Sequence, residues 1–183
     1  FYRHIIYNFP KVSKNKPFLD KTINIKWNRD EILFEKWKDG KTGIPIVDAG
    51  MRQLKRMGWM HNRVRMITAM FLSKNLLIDW RKGEKFFMQN LIDGDIASNN
   101  GGWQWSASTG TDAAPYFRIM NPVSQSKRFD PEGVYIKTWV SELENCPVKD
   151  IHEPKEPDKY GYCAPIVDLK VSRKEAIDIF SAL

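Results

Sequence analysis

The sequence predicts an all-α fold, and three observations support that prediction. Apolar side chains recur at three- and four-residue steps in the longer segments, as they do on one face of a helix. No stretch alternates apolar and polar residues as a half-buried strand does. Prolines, glycines and aspartates stand where such helices would begin or end. The sequence contains no internal repeat.

The first part of the chain, up to Lys41, contains little regular structure. Residues 1–9 have the pattern of an amphipathic helix, which ends at Pro10 because proline cannot continue it. A lysine-rich, irregular stretch follows, with one short helix predicted around Glu31 to Trp37. Trp27 lies in this stretch without a periodic set of apolar partners.

Four helices are predicted in the middle of the chain. Pro45 suits a first helical turn, Gly58 a helix end, and Asp79 a helix cap. The pair Gly101 and Gly102 lies inside the fourth helix and costs about 1 kcal/mol per glycine relative to alanine, so something large should approach the backbone there. The predicted helices cover residues 45–57, 61–77, 80–91 and 95–106.

The last part of the chain is predicted to be mostly loop. A turn at residues 108–111 leads into an irregular segment, 115–126, and a helix begins near Pro131. From Cys146 onward we expect a loop-rich tail that ends in a short helix at residues 172–183. We therefore expect one partial domain over residues 1–183, with its core at 43–145 and the tail at 146–183. Because the opening reads as a helix without a cap, we expect a C-terminal piece of a longer chain.

Composition and charge exclude several classes of protein. The 183 residues are 42% hydrophobic, which is enough for a sizeable core, and no apolar run approaches the ~20 residues that cross a bilayer. The formal charge of +7 favours a polyanionic partner such as nucleic acid, although solvated lysines alone would give the same excess. Cys146 and Cys163 fit neither a disulfide framework nor a zinc site, and we interpret them as reduced cytoplasmic thiols.

Two aspartates, Asp93 and Asp95, precede the fourth predicted helix. They could bind a divalent metal, but no third carboxylate is near them in sequence, and we assign no metal. Helix capping with charge pairing is one alternative. The other is that they hold the ribose of a cofactor or orient an arginine, for which Arg65 is the natural candidate.

The spacing of the polar and aromatic residues along the predicted helices indicates which of them lie on the same helical face. Asp95, Asn99 and Trp103 follow at four-residue steps and share one face, whereas Trp105 lies about 200° around the axis from Trp103. Arg63 and Arg65 are also about 200° apart, so one can face inward while the other faces a ligand. Core packing explains any single tryptophan equally well, a structural role is the simpler interpretation of His61, and both arginines could be solvated.

Several long motifs resemble the photolyase and cryptochrome family, and most closely its class I cyclobutane pyrimidine dimer photolyases. The resemblance extends from Phe1 to about Pro154 and implies the C-terminal portion of the helical FAD-binding domain. The motifs that carry it are FYRH, KTGIPIVDAGMRQL, GWMHNRVRMI, LLIDWRKGEKFFMQNLIDGDIASNNGGWQW, ASTGTDAAPYFRIMNP and RFDPEG.

The resemblance implies roles for individual residues. An FAD site is implied at Asn62, Arg63, Arg65, Asp93, Gly94, Asp95, Asn99, Phe1 and Tyr2, with Arg65 paired to Asp93 and Asn99 facing the flavin N5. An electron-transfer chain from the flavin outward is implied at Trp103, Trp80 and Trp27. Contacts with a flipped-out dimer are implied at Trp105, Met66, Asn62, Arg63, Phe1 and Tyr2, and Asn62 is also counted among the catalytic residues.

The implied activity is light-driven repair of UV-damaged DNA by an electron from excited FADH⁻, in a protein that is a monomer at full length. An antenna chromophore, methenyltetrahydrofolate or a deazaflavin, is expected in an N-terminal domain outside this chain. Asn62 and Met66 stand where (6-4) photolyases have histidines, and Asn99 and Trp105 favour repair over a cryptochrome-type photoreceptor. The competing hypotheses are that photoreceptor and a basic helical nucleic-acid-binding module without a cofactor.

Overall fold

The computed structural model of the chain describes residues 1–111 and 113–183, so Asp112 of the ASTGTDAAPYF motif lies outside it. The described residues form α-helices, short 3-10 turns and a single parallel β-bridge between Asn28 and Ile78, which confirms the all-α prediction. The helices are α1 Tyr2–Asn8, α2 Pro10–Ser13, α3 Glu31–Lys38, α4 Pro45–Met57, α5 Asn62–Met70, α6 Trp80–Asn90, α7 Ile96–Ser106, α8 Pro122–Phe129, α9 Val134–Trp139 and α10 Leu169–Ser181.

The helices with clear caps were predicted well. Pro45 occupies the first turn of α4, and Gly58 ends that helix in the left-handed conformation, with φ 65°. Asp79 caps α6 by accepting the Arg81 N–H, and Asp95 caps α7 by accepting the Ser98 N–H. The observed bounds of these helices therefore agree with the predicted ones to within a residue.

The predicted helix over residues 61–77 was wrong in its second half. His61 is the N-cap, α5 ends at Met70, and a π-helical turn follows at Phe71–Asn75. Leu77 has φ 52° and its carbonyl accepts the Asn28 N–H, so this residue leaves the helix to pair with another segment. Apolar periodicity continues through such a turn, which is why the pattern alone did not show the break.

Other boundaries also required correction. The segment 115–126 is not wholly irregular, because Asn121 caps α8 and Pro122 occupies its first turn. The next helix, α9, begins at Val134 rather than near Pro131, and Asp130 accepts backbone N–H groups at its start. The last helix starts at Leu169, three residues before the predicted position, and its cap is Asp168. Pro10 ends α1 as expected, but it also opens the short α2.

The helix α4 lies at the centre of the packing. It contacts α3, α5, α8 and α9, while α6 and α7 pack against each other and α7 also contacts α1 and α5. Most of α4 is buried, from Pro45 through Leu54. The region between α5, α6 and α7 is therefore held by a rigid core on one side.

The tail from Cys146 onward is joined to the same core. The buried Asp48 of α4 accepts hydrogen bonds from Thr42, from the Gly43 N–H and from the Tyr162 hydroxyl. Burial raises the pKa of Asp48, and these hydrogen bonds act in the opposite direction. The helix α10 packs on the π-helical turn. Both cysteines are free thiols, and no described helix is long and apolar enough to cross a membrane.

Candidate functional site

A cleft opens between α5, α6 and α7. One helical face of α7 forms part of its wall, as the four-residue spacing of Asp95, Asn99 and Trp103 predicted. The sequence-predicted residues that line the cleft are Asn62, Arg65, Met66, Asp93, Gly94, Asp95, Asn99 and Trp103. The cleft thus combines charged, amide and aromatic groups in one place.

Arg65 and Asp93 form an ion pair at the cleft. Nη2 of Arg65 donates to both carboxylate oxygens of Asp93, at 3.0 and 2.8 Å, and its Nε donates to the Met60 carbonyl at 2.6 Å. The pairing that the resemblance implied is therefore present in the structure. The Asp93 side chain is 46% exposed, so this pair contributes more to the orientation of the two groups than to stability.

Asp95 has a different arginine partner. Its carboxylate caps α7 through the Ser98 N–H at 2.9 Å and the Ser98 hydroxyl at 2.8 Å, and it accepts a bond from Arg3 Nη2 at 3.0 Å. These contacts, the Ser98 backbone bond first, lower the pKa of Asp95. Within the described residues, no group of three histidine, cysteine or acidic side chains is placed to hold a metal. The contacts of Asp95 agree with the capping and charge-pairing interpretation.

Asn99 is held by a residue that the sequence did not single out. Its Nδ2 donates to the backbone carbonyl of Glu84 at 2.9 Å and to Glu84 Oε1 at 3.3 Å. Glu84 lies on α6 and is 9% exposed; burial raises its pKa, and the bond from Asn99 opposes that rise. Because the pair joins two helices, no local sequence pattern could have indicated it.

Trp103 is packed tightly at the back of the cleft. Its ring lies directly over Gly83 of α6, where an added Cβ would be 2.2 Å from the Trp103 ring. Its ring centroid is 4.9 Å from that of Phe87 and 6.0 Å from that of Trp37, both in edge-to-face geometry. Trp37 is fully buried and was assigned no role from sequence, although it contacts this proposed electron-transfer residue.

The other two tryptophans of the predicted chain lie away from the cleft. Trp80 is fully buried, and Trp27 is half-buried, 6.3 Å from the ring of Phe180. The backbone bond from Asn28 to Leu77 places Trp27 beside the segment that leads into Trp80. In the described part of the chain, the indole N–H groups of Trp80 and Trp103 have no hydrogen-bond partner.

The residues predicted to contact a flipped-out base fall into two groups. Asn62 and Met66 lie together at the cleft, with Asn62 Nδ2 3.8 Å from the Met66 sulfur. Trp105 instead lines a second, small cavity between α1 and α7, together with Tyr2. The structure does not bring Trp105 and Met66 into one of these cavities.

The large group that the glycine pair predicted is the ring of Tyr2. An added Cβ at Gly101 would lie 2.2 Å from that ring, whereas one at Gly102 would have no described neighbour within 4 Å outside the α7 backbone. Phe1 is 75% exposed, and its ring packs edge-on against Tyr2 at 5.3 Å. Tyr2 is therefore placed against α7, on the side away from Gly102.

Arg63 points away from Arg65, as their spacing predicted. Its guanidinium lies over the ring of Phe129, 4.8 Å from the centroid, and Arg128 approaches the same ring at 5.2 Å. Neither Arg63 nor Arg128 has an acidic partner in the described residues. These three side chains form a basic, aromatic edge on the protein surface.

Comparisons with known proteins agree with this geometry. The sequence profile of the FAD-binding domain of DNA photolyase matches residues 1–182. The chain is 54% identical to the deoxyribodipyrimidine photo-lyase of Escherichia coli K12 over all of its own length, which is 40% of that relative.

Two solved structures are similar throughout the chain. A bacterial class III photolyase from Agrobacterium tumefaciens has a TM-score of 0.94 at 47% identity, covering 100% of this chain and 40% of that one. A cryptochrome from Synechocystis has a TM-score of 0.90 at 38% identity, covering 98% of this chain and 39% of that one. The chain thus spans about two fifths of the length of these proteins.

Proposed function

Because this chain belongs to the family of FAD-binding domains of DNA photolyase, we propose that it is the flavin-binding part of an enzyme that repairs cyclobutane pyrimidine dimers in DNA with light. The cleft face of α7, which places Asn99 beside Trp103, is the observation that carries this proposal. The proposal also includes three more specific assignments. The enzyme is a class I photolyase, it is a monomer at full length, and it binds an antenna chromophore of the folate or deazaflavin type outside this chain.

The cleft suits a flavin in both shape and chemistry. Among the described residues, no group outside the α7 backbone lies within 4 Å of an added Cβ at Gly102, so the wall of α7 is open to a flat ring at that point. Amide and charged groups, which Asn99, Arg65 and Asp93 supply, match the polar edges and the ribityl and phosphate groups of FAD. Met66, Ala69 and Leu91 give the cleft an apolar part as well.

Individual residues then have definable roles. The ion pair with Asp93 fixes the Arg65 guanidinium in one orientation, and Glu84 fixes the Asn99 amide so that its oxygen is available to the cleft. Reduced FAD, when bound, would supply the absorption of light and one electron for splitting the cyclobutane ring, and the electron would then return to it. The splitting requires no acid, base or nucleophile from the protein.

We further propose that Trp103, Trp80 and Trp27 carry an electron toward the flavin site when the cofactor must be reduced. The two inner indoles are buried and Trp27 is half-buried, as a path from the interior to the surface requires. Trp103 touches Phe87 and Trp37 closely, so the inner end of the path is fixed in position. Trp103 and Trp80 are both buried, so water is kept from the two inner indoles.

DNA would be held by the basic edge and by aromatic stacking. Arg63 and Arg128 flank Phe129 and have no acidic partner in the described chain, which leaves both free to bind phosphates. Trp105 is half-buried and offers a ring on which a base taken out of the stack can rest. Asn62 and Met66 lie at the mouth of the flavin cleft, where the damaged bases must arrive.

The cryptochrome-type photoreceptor is the competing function, and the likeness to the Synechocystis cryptochrome supports it. Asn99 and Trp105 favour repair. The identity of Asn62 and Met66, where (6-4) photolyases have histidines, favours cyclobutane dimers as the substrate.

The test uses the full-length protein with reduced flavin and an oligonucleotide that carries one thymine cyclobutane dimer. We expect intact thymines to be recovered under blue or near-UV light and not in the dark. Trp105→Ala should weaken dimer binding by about 5- to 150-fold, because stacking on an aromatic side chain contributes about 1–3 kcal/mol per base. Trp139→Phe, on the remote helix α9, is the matched control. A flavin-loaded protein that leaves the dimer intact in the light would favour the photoreceptor.

A further inference from the structure

One buried cation has no part in the flavin cleft. Lys74 lies on the π-helical turn and is 0% exposed. Its Nζ donates to the Ser108 hydroxyl at 2.7 Å and lies 3.3 and 3.4 Å from the backbone carbonyls of Tyr116 and Arg118. All three N–H groups of the ammonium are therefore used, and each reaches the segment between α7 and α8.

That segment, described at residues 107–111 and 113–121, is a loop. Its beginning is also tied to α7, because the Thr109 and Gly110 N–H groups donate to the Gln104 carbonyl at 2.9 and 3.2 Å. Its far part also contacts α5, through the Met120 N–H and the Met70 sulfur at 3.1 Å. Ser108 connects Lys74 to a later part of the loop, because its hydroxyl donates to the Ala114 carbonyl at 2.6 Å. The Ala114 N–H donates to the Trp105 carbonyl at 3.1 Å, so the loop folds back on the last turn of α7. Lys74 thus joins the beginning of the loop, at Ser108, to its far side, at Tyr116 and Arg118.

The described chain offers Lys74 no carboxylate, so its charge is compensated by neutral oxygens alone. The ring of Phe180, on α10, covers it at 5.6 Å from the centroid. An ammonium without a negatively charged partner is costly to bury, and a neutral side chain of similar length would avoid that cost. The hydrogen bonds to the loop are what the lysine provides in addition to packing.

The loop presents groups that suit a nucleic acid strand. Tyr116 and Phe117 are 38% and 55% exposed, with ring centroids 5.4 Å apart. Arg118 is exposed next to them, and none of the described acidic side chains pairs with it. The first part of the loop, at Gly110 and Thr111, lines the same cavity as Trp105. Exposed aromatic rings beside a free arginine are typical of surfaces that bind single strands.

We propose that Lys74 is a positioning residue for DNA binding, which holds the described part of the loop, residues 107–111 and 113–121, beside Trp105 so that its aromatic and basic side chains meet the strand around the damaged base. This inference rests on the proposed repair function. Lys74 itself, being buried, does not touch the DNA.

The experiment uses the full-length protein and compares the wild type with Lys74→Met, which keeps the length of the side chain and removes the hydrogen-bond donors. The control variant is Lys85→Met, because Lys85 is an exposed lysine on α6. The first readout needs no DNA: trypsin cleavage after Arg118, which should become at least about tenfold faster in Lys74→Met only, since hydrogen bonds of a charged group contribute about 1.5–3 kcal/mol. The second readout is the dissociation constant for a duplex with one thymine dimer, expected to rise about tenfold. The third is light-driven splitting of a saturating thymine dimer dinucleotide, which is too short to reach the exposed Tyr116, Phe117 and Arg118 and should be unchanged.

Each outcome has one meaning. Faster cleavage with weaker duplex binding and normal dinucleotide splitting supports the proposal. Unchanged cleavage, or an equal loss of duplex binding and dinucleotide splitting, overturns it, because the lysine then either does not hold the loop or supports the whole fold. Ser108→Ala removes one partner and should show the same pattern to a smaller degree. If the wild type binds no dimer while cleavage still accelerates in Lys74→Met, the repair function fails and the control of the loop by Lys74 is retained.

Discussion

At the scale of single residues, Glu84 joins the proposed flavin cleft to the core of the molecule. It is nearly buried on α6, and its contacts with the Asn99 amide set the direction of that side chain. Since Asn99 is expected to face the reactive edge of the flavin, Glu84 acts on the site through Asn99. Both the geometry and the protonation of Glu84 can be tested.

Replacing Glu84 by glutamine should change the pH dependence of stability. Burial raises the pKa of Glu84 above its ordinary value of 4.5, so the folded state binds the proton more tightly than the unfolded state does. Its contribution to stability is present below pH 4.5 and is lost as the pH rises through the folded pKa. Glu84→Gln removes this loss, and its melting temperature relative to wild type should rise between pH 4.5 and pH 7.5.

Glu84→Gln should retain FAD because the glutamine oxygen still accepts the Asn99 bond. Glu84→Ala removes that acceptor and should release FAD more readily. Parallel melting curves of wild type and Glu84→Gln across this pH range would contradict the assignment of a raised pKa. Equal flavin retention in the glutamine and alanine variants would contradict the positioning role.

Lys74 gives a prediction of the opposite sign. Burial lowers its pKa from 10.5 to about 7, so between these values the unfolded state binds the proton that the folded state has lost. The stability of the wild type should therefore rise with pH in this window relative to Lys74→Met, which has no such group. Melting temperatures of both proteins at pH 7 and pH 9 measure the difference, and an unchanged difference would show that the lysine titrates normally.

At the scale of helices, two faces of α7 have different roles, one in packing against α1 and one in lining the cleft. Gly101 lies under the ring of Tyr2, whereas Gly102 opens to the flavin cleft. Gly101→Ala should destabilise the contact between α1 and α7 by about 1–3 kcal/mol, because the added methyl group overlaps the ring. Thermal unfolding and hydrogen exchange of α1 would measure this effect.

Gly102→Ala is the matched variant on the neighbouring position. Alanine favours a helix over glycine by about 0.5–1 kcal/mol, so the flavin-free protein should become more stable. The same methyl group projects into the cleft, and FAD binding should weaken. If both variants changed stability in the same direction, or if Gly102→Ala bound FAD as tightly as the wild type, the assignment of the two faces would be wrong.

The same helix shows how far local sequence rules reach. The aspartate caps and the four-residue spacing placed α6 and α7 correctly and put Asp95, Asn99 and Trp103 on one wall, because these are properties of neighbouring residues. The π-helical turn at Phe71–Asn75 was missed, since its apolar pattern is compatible with an ordinary helix and the pairing of Leu77 with Asn28 is a tertiary contact. The Asn-Pro start of α8 was a local signal that was overlooked.

At the scale of the whole molecule, the motifs indicated the family, whereas the supporting residues came from the fold alone. Glu84, Lys74 and Trp37 act through partners 15 to 66 positions away along the chain. The spacing of neighbouring residues does not indicate any of these partners. Lys74, for example, reaches Ser108, which lies 34 positions further along. The sites of such residues depend on how the helices cross, which the sequence specifies only through packing of the entire core.

The 183-residue chain by itself should bind FAD weakly and should not repair dimers. It spans 40% of a relative such as the Escherichia coli photo-lyase, its α1 contains no buried residue, and the Asp93 side chain at the cleft is 46% exposed. A cleft that stays this open leaves much of a bound flavin in water, and the affinity should fall at least about a hundredfold below that of the full-length protein, or about 2.7 kcal/mol. Flavin fluorescence titration measures both constants, with circular dichroism to show that the chain is folded. Tight one-to-one binding by the isolated chain would mean that its described residues already complete the site.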